Sequence, residues 1–238
     1  MRRRNALAAW LPVCLVAAVL AVPVPTSAAP TRECFLLTQC TPVVGPWVVI
    51  PAPAARQVPV PAGVTVGCPD GDSEQLAVGS DYELSGGSGG PPPDVSRLMS
   101  GPGAGLITGG DALFFAVTFV DIPASFRPHV GCIPEPQDAR RGAAVEQGRS
   151  RVVRTREVRL RPSRAITSSH RCRRGERLTR GLAGVLFHRR RPPTARELRD
   201  VTVTHRRLGR RVRASVRTGP RVGDRERVTL QILAVCAR

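Results

Sequence analysis

Lysine is missing from this chain. All 36 basic side chains are arginine, set against 18 acidic ones, for a formal net charge of +18. Arginine without lysine, beside abundant Ala, Gly, Pro and Val, mainly reflects codon usage in a GC-rich genome, so the guanidinium alone is no evidence for bidentate anion binding. Aromatics are sparse as well: six Phe, two Trp and one Tyr in 238 residues. No Trp or Tyr follows Tyr82, which argues against the base-stacking platforms of single-strand binders and against any specific nucleic acid. The buried-tryptophan signature of a true immunoglobulin domain is missing too. The four histidines (His129, His170, His188, His205) have no metal-ligand spacing, so neither a metal nor a cofactor is expected. Gly86-Gly87-Ser88-Gly89-Gly90 lacks the lysine of a phosphate loop and reads as linker.

What is present is a repeat written in cysteine. Cys68 and Cys132 lie 64 positions apart, and so do Cys172 and Cys236. Neighbouring residues line up as well. Cys68-Pro-Asp-Gly71 aligns with Cys172-Arg-Arg-Gly175, and Pro92-Pro93-Asp94-Val95-Ser96-Arg97-Leu98 with Pro192-Pro193-Thr194-Ala195-Arg196-Glu197-Leu198. Asp94 and Thr194 are each predicted to cap a short helical turn. The closing segments share one parity, Ala124, Phe126, Pro128, Val130 and Cys132 in one copy, Val228, Leu230, Ile232, Ala234 and Cys236 in the other. That is a strand with the cysteine on its buried face.

Residues 1–28 read as a signal peptide, with Arg2 to Arg4 as the basic region, Ala6 to Val22 as the apolar stretch and Thr26-Ser27-Ala28 before the cut. A retained anchor is the alternative, since the apolar stretch is at the low edge for spanning a bilayer. Cleavage is favoured, leaving no transmembrane segment in the mature chain. Without Cys14, six cysteines remain, the sign of a disulfide framework in an exported protein. Of the 15 connectivities six cysteines allow, the repeat selects Cys68–Cys132, Cys172–Cys236 and, by elimination, Cys34–Cys40. Closing a loop of the longer kind stabilises by roughly 4 kcal/mol, comparable with the whole net stability of a module of about 80 residues.

Short strands at regular spacing predict an all-β fold of two tandem small immunoglobulin-like β-sandwich modules, each closed by one disulfide. The segment 29–57 holds the small ring, a strand or docked segment at Trp47-Val48-Val49-Ile50, and a proline-rich linker. Module one covers 58–134 and is interrupted by a Gly/Pro-rich loop over 85–110. A linker at 135–151 leads to module two at 152–238. Within it, Arg211-Val-Arg-Ala-Ser-Val-Arg217 alternates cleanly, with Val212, Ala214 and Val216 facing in and arginines facing out. His129 has the parity opposite to the core face of its strand and is expected to be exposed.

Charge divides the chain. Residues 29–138 hold 4 Arg and 11 acidic residues, net −7, whereas residues 139–238 hold 29 Arg and 7 acidic, net +22. The bland reading is a solvated β face beside an acidic neighbour. The sharper one is that module two binds a polyanion through Arg189, Arg190, Arg191, Arg206, Arg207, Arg210 and Arg211, with affinity falling steeply with salt. Outside a cell the candidates are an anionic envelope polymer, surface polysaccharide, anionic lipid headgroups or free DNA.

Gly71-Asp72-Ser73 faintly resembles the nucleophile block of the GDS(L) lipases. That block opens a larger α/β domain, and the aligned Gly175-Glu176-Arg177 lacks the serine, so a turn is expected there. The segment Ala124-Ser-Phe-Arg-Pro-His-Val-Gly-Cys132-Ile-Pro, with the Cys68 opening and the closing Ala234-Val-Cys-Ala237, resembles exported tandem β-domain proteins of GC-rich actinobacteria. The resemblance implies export and an internal repeat, and it implies no activity. The sequence thus predicts a secreted or wall-associated, non-enzymatic binding or structural protein. One alternative is an adaptor holding a protein partner at the envelope. Another is an extracellular hydrolase with an unrecognised site.

Overall fold

A computed structural model describes residues 32–35, 39–53, 58–69, 75–86, 92–99, 111–134, 151–223 and 226–237. The leader, Gly71-Asp72-Ser73, most of the 85–110 loop and residues 135–150 of the 135–151 linker lie outside the described residues. The fold is all-β, with thirteen strands, one short helix and a 3-10 turn at Arg32–Cys34 among the described residues.

The amino-terminal half contributes seven strands. Two short ones, β1 (Thr41–Val44) and β2 (Trp47–Ile50), run in succession along one side of β7 (Ala124–Pro134), and β4 (Gln75–Gly86) pairs with its other side. A second group runs β3 (Ala62–Gly67), β6 (Asp111–Val117), β5 (Asp94–Met99). The other half has the same pairing scheme. There β8 (Arg151–Arg159) and β10 (Arg177–Phe187) flank β13 (Val228–Ala237), while β9 (Ala165–Arg171), β12 (Arg211–Thr218) and β11 (Val201–Leu208) form a three-stranded sheet. A bulge follows Ala77, the partner of Cys132, and another follows Leu178, the partner of Cys236. The three predicted disulfides, Cys34–Cys40, Cys68–Cys132 and Cys172–Cys236, are all present.

The halves are joined by backbone hydrogen bonding, a continuity that two separate sandwiches would not contain. The free side of β10 takes β2 antiparallel, Leu186 opposite Val48 and Phe187 opposite Trp47, and takes β3 in parallel at Ala183 and Ala62. One ten-stranded mixed sheet results. The approach is close enough that a Cβ at Gly184 would collide with the Gly63 carbonyl oxygen.

All four residues of β2 are buried, and its period of two splits them between two cores. Trp47 and Val49 pack with Val185, Phe187 and Leu230 of the second half, whereas Val48 and Ile50 pack with Phe114, Phe126 and Val130 of the first. Leu186 of β10 reaches back into the first-half core. Between them Leu113, Leu182, Leu233 and Val235 form a third cluster.

Two sequence expectations need correction. Thr194 does cap a helix, α1 (Ala195–Arg199), in a capping box with Glu197. Asp94 does not: it opens β5, which pairs with β6 from Asp94 opposite Val117 onward. The residue three beyond Asp94 is Arg97, which cannot complete the box, and its guanidinium donates to the Ser80 carbonyl instead. His129 is covered rather than exposed, its side chain only 17% accessible, with Nε2 2.7 Å from Glu83 and Nδ1 3.7 Å from Glu33. The parity was right, but the outer face of β7 is roofed by the 3-10 turn, whose Glu33 carbonyl lies where a Cβ on Gly131 or Gly79 would be.

Candidate functional site

The site is built on the outer face of the three-stranded sheet. Along β12 burial alternates strictly, so Val212, Ala214, Val216 and Thr218 fill the core and Arg211, Arg213, Ser215 and Arg217 stand in solvent. Pairing places Arg171 of β9 directly opposite Arg211, and Arg206 of β11 directly opposite Arg213. Like charges directly opposite each other on one face of a sheet are destabilising. None of these five arginines (171, 206, 211, 213 and 217) has a carboxylate within ion-pair distance among the described residues. Hydroxyls fill the next row, with Thr167 Oγ1 3.0 Å from Ser215 Oγ. A trough of about 350 Å³ follows the face, lined by Arg156, Thr167, Ser169, Leu208, Arg211 and Arg213.

At the cysteine end the face opens into a cleft of about 970 Å³ between β8, which pairs with β13, and β9, which pairs with β12, each an edge strand among the described residues. Arg156, Arg171, Arg173, Arg174, Arg210 and Arg211 line it. Arg156 Nη1 crosses from β8 to the Ser169 carbonyl at 3.1 Å, and Arg210 Nη1 donates to the Arg173 carbonyl at 3.3 Å. These bonds set the width of the cleft without neutralising charge. His170 sits in the wall with its pKa below the ordinary value, first through burial and then through Arg156 and Arg154.

Arg154 is the cleft arginine that is spoken for. Glu176, nearly buried, accepts from Arg154 through both carboxylate oxygens, with Nε at 2.8 Å, and also accepts from the Arg173 amide at 2.8 Å. The Arg154 hydrogen bonds lead in drawing its pKa from 4.5 down to about 2, against the opposing pull of burial. A carboxylate depressed in the fold contributes stability that is complete above its unfolded pKa and is lost as the folded group protonates. Glu176→Gln should therefore cost about 3 kcal/mol in urea titrations at pH 7. The difference from the parent should shrink as pH falls from 4.5 toward 2. A difference constant down to the acid limit would refute the assignment.

The structure divides the seven arginines singled out from sequence. Arg206, Arg207, Arg210 and Arg211 meet at the β11–β12 hairpin, where the Cys172 amide donates to the Arg210 carbonyl. Arg189, Arg190 and Arg191 follow β10 at its other end, a strand length or roughly 30 Å away. Arg189 is largely buried, pairing with Glu197 at 2.7 Å and Glu226 at 2.6 Å and lying over the Phe187 ring. It ties α1 to the sheet. Arg190 and Arg191 are exposed, and the Arg190 carbonyl accepts from Trp47 Nε1 at 3.1 Å. Arg156, Arg171, Arg173, Arg174, Arg213 and Arg217 were missed. Period-two patterning exposes 213 and 217, but only strand pairing brings 171 beside 211.

The one cluster with metal-ligand spacing among the described residues is Cys172, Glu176 and Cys236. Its two sulfurs are bonded to each other, so it offers no thiolate. No protein-family model, no curated protein and no solved structure matches the chain. Fold and site together describe a disulfide-bonded all-β protein with an unpaired arginine surface.

Proposed function

We propose that this chain is an exported, non-enzymatic binding protein made of two homologous immunoglobulin-like β-sandwich modules, and that the second module holds polyanions. Matching pairing schemes, and the bulge beside the partner of Cys132 and of Cys236, support a duplication. Three disulfides fit an oxidising compartment. No helix among the described residues is long and apolar enough to cross a membrane.

The observation that carries the binding reading is the like-charge ladder, Arg171 against Arg211 and Arg206 against Arg213, with no carboxylate among the described residues to relieve it. A fold that needed only solubility could alternate signs there. Bound anions would turn the repulsion into attraction and release counterions. The chain should be retained on immobilised heparin at low salt, and its affinity should fall roughly 10²–10³-fold between 50 and 200 mM salt for about five neutralised charges. Failure to bind at 50 mM, or binding indifferent to salt, would refute the reading.

A further inference from the structure

We propose that the ligand of the arginine face is an extended polyol-phosphate polymer carrying one phosphodiester per six backbone bonds, of which poly(glycerol phosphate) is the simplest. This rests on the polyanion reading above and narrows it. Outward residues on β12 recur every second position, about 6.8 Å apart. Two residues of extended peptide contain six backbone bonds. A glycerol phosphate repeat, P–O–C–C–C–O, also contains six, so its extended length per charge is about 7 Å. Phosphates of such a chain stay in step with alternate residues of one strand. A linear polyphosphate places its charges every two bonds, and a sulfated polysaccharide places them unevenly on rigid rings.

The rows of the face then have distinct roles. Arg211 with Arg171 forms the first row and Arg213 with Arg206 the second, each pair on neighbouring strands. Strands lie about 4.8 Å apart, so two guanidinium groups can converge on one phosphate, each with a planar fork that suits phosphate oxygens. The third row offers the hydroxyls of Ser215 and Thr167, and the fourth offers Arg217. Beyond the first row the chain would continue into the larger cleft, past Arg173, Arg174 and Arg210. Nucleic acid shares the six-bond backbone but gains nothing from its bases here. The outward positions of the sheet carry arginine, serine, threonine, one alanine and one leucine, with no aromatic ring to stack on.

The test uses the full chain and a short, defined glycerol phosphate oligomer as probe, followed by fluorescence anisotropy at low salt. Heparin and an oligothymidylate of equal phosphate number serve as comparisons. The glycerol phosphate oligomer should bind most tightly per charge. Arg211→Gln with Arg213→Gln should weaken it about tenfold or more per arginine, whereas Arg190→Gln with Arg191→Gln, at the far end, should leave it unchanged. Both variants remove exposed side chains, and the first relieves like-charge repulsion, so its melting temperature should not fall. Oligothymidylate or heparin binding as tightly per charge would overturn the polyol-phosphate assignment while leaving the polyanion reading standing. Equal losses in the two variants would overturn it by moving the site off the face. No binding by any of the three probes would overturn both readings.

Discussion

Trp47→Ala should lower stability by about 3–5 kcal/mol, the range for a large aromatic removed from a packed core. Trp47 is 3% exposed, and it belongs to the core of the opposite half of the molecule, against Val185, Phe187 and Leu230. Truncation opens a cavity there and removes one of the two donors to the Arg190 carbonyl, leaving Arg127. For a chain of this size the loss corresponds to a fall of roughly 10 °C in melting temperature. Calorimetry should also change in form. The parent should melt in one transition, because β2 and Leu186 interlock the two cores, and the variant should separate toward two. A loss below about 1 kcal/mol would mean that the second core closes without β2.

Replacing Cys172 and Cys236 together by alanine should cost roughly 4 kcal/mol, the loop-entropy value for a ring of this length. The sequence separation is 64 for this pair and 6 for Cys34–Cys40. The same treatment of the small ring should cost only about 2 kcal/mol. Cys172 and Cys236 are both buried, at 2% and 1% exposure, so lost packing adds to the larger figure. Denaturant titrations of the two double variants would separate them. A larger loss from the small ring would contradict the loop-length account and point to the docking of the 3-10 turn on β4 and β7 as the greater contribution.

Much of the fold was legible because cysteine spacing and period-two alternation are local. Arg211 to Arg217 announces an exposed strand by itself, and the equal spacing of the long pairs indicated which sulfurs meet. The helical turn was legible at Thr194, where Glu197 completes the cap, and illegible at Asp94, where only the absence of a glutamate distinguishes strand from helix. The role of β2 was hidden for another reason. Trp47-Val-Val-Ile50 is apolar throughout, and a run without polar residues says that both faces are buried without saying against what. The site was half legible. Arginine runs mark abundance, yet Arg189 in such a run serves as an internal tie, while Arg171 and Arg211, far apart in sequence, come together only through the pairing of β9 with β12.

The sharing of β2 between two cores bears on the order in which the chain can finish folding. Trp47 and Val49 are synthesised long before Val185, Phe187 and Leu230, the side chains they pack against. Until β10 exists, one face of β2 has no place to be buried, and the exposed edge is open to pairing with the wrong strand. A segment made well before its packing partners is thus secured only after them, and a chain stalled between the two would carry that apolar edge uncovered.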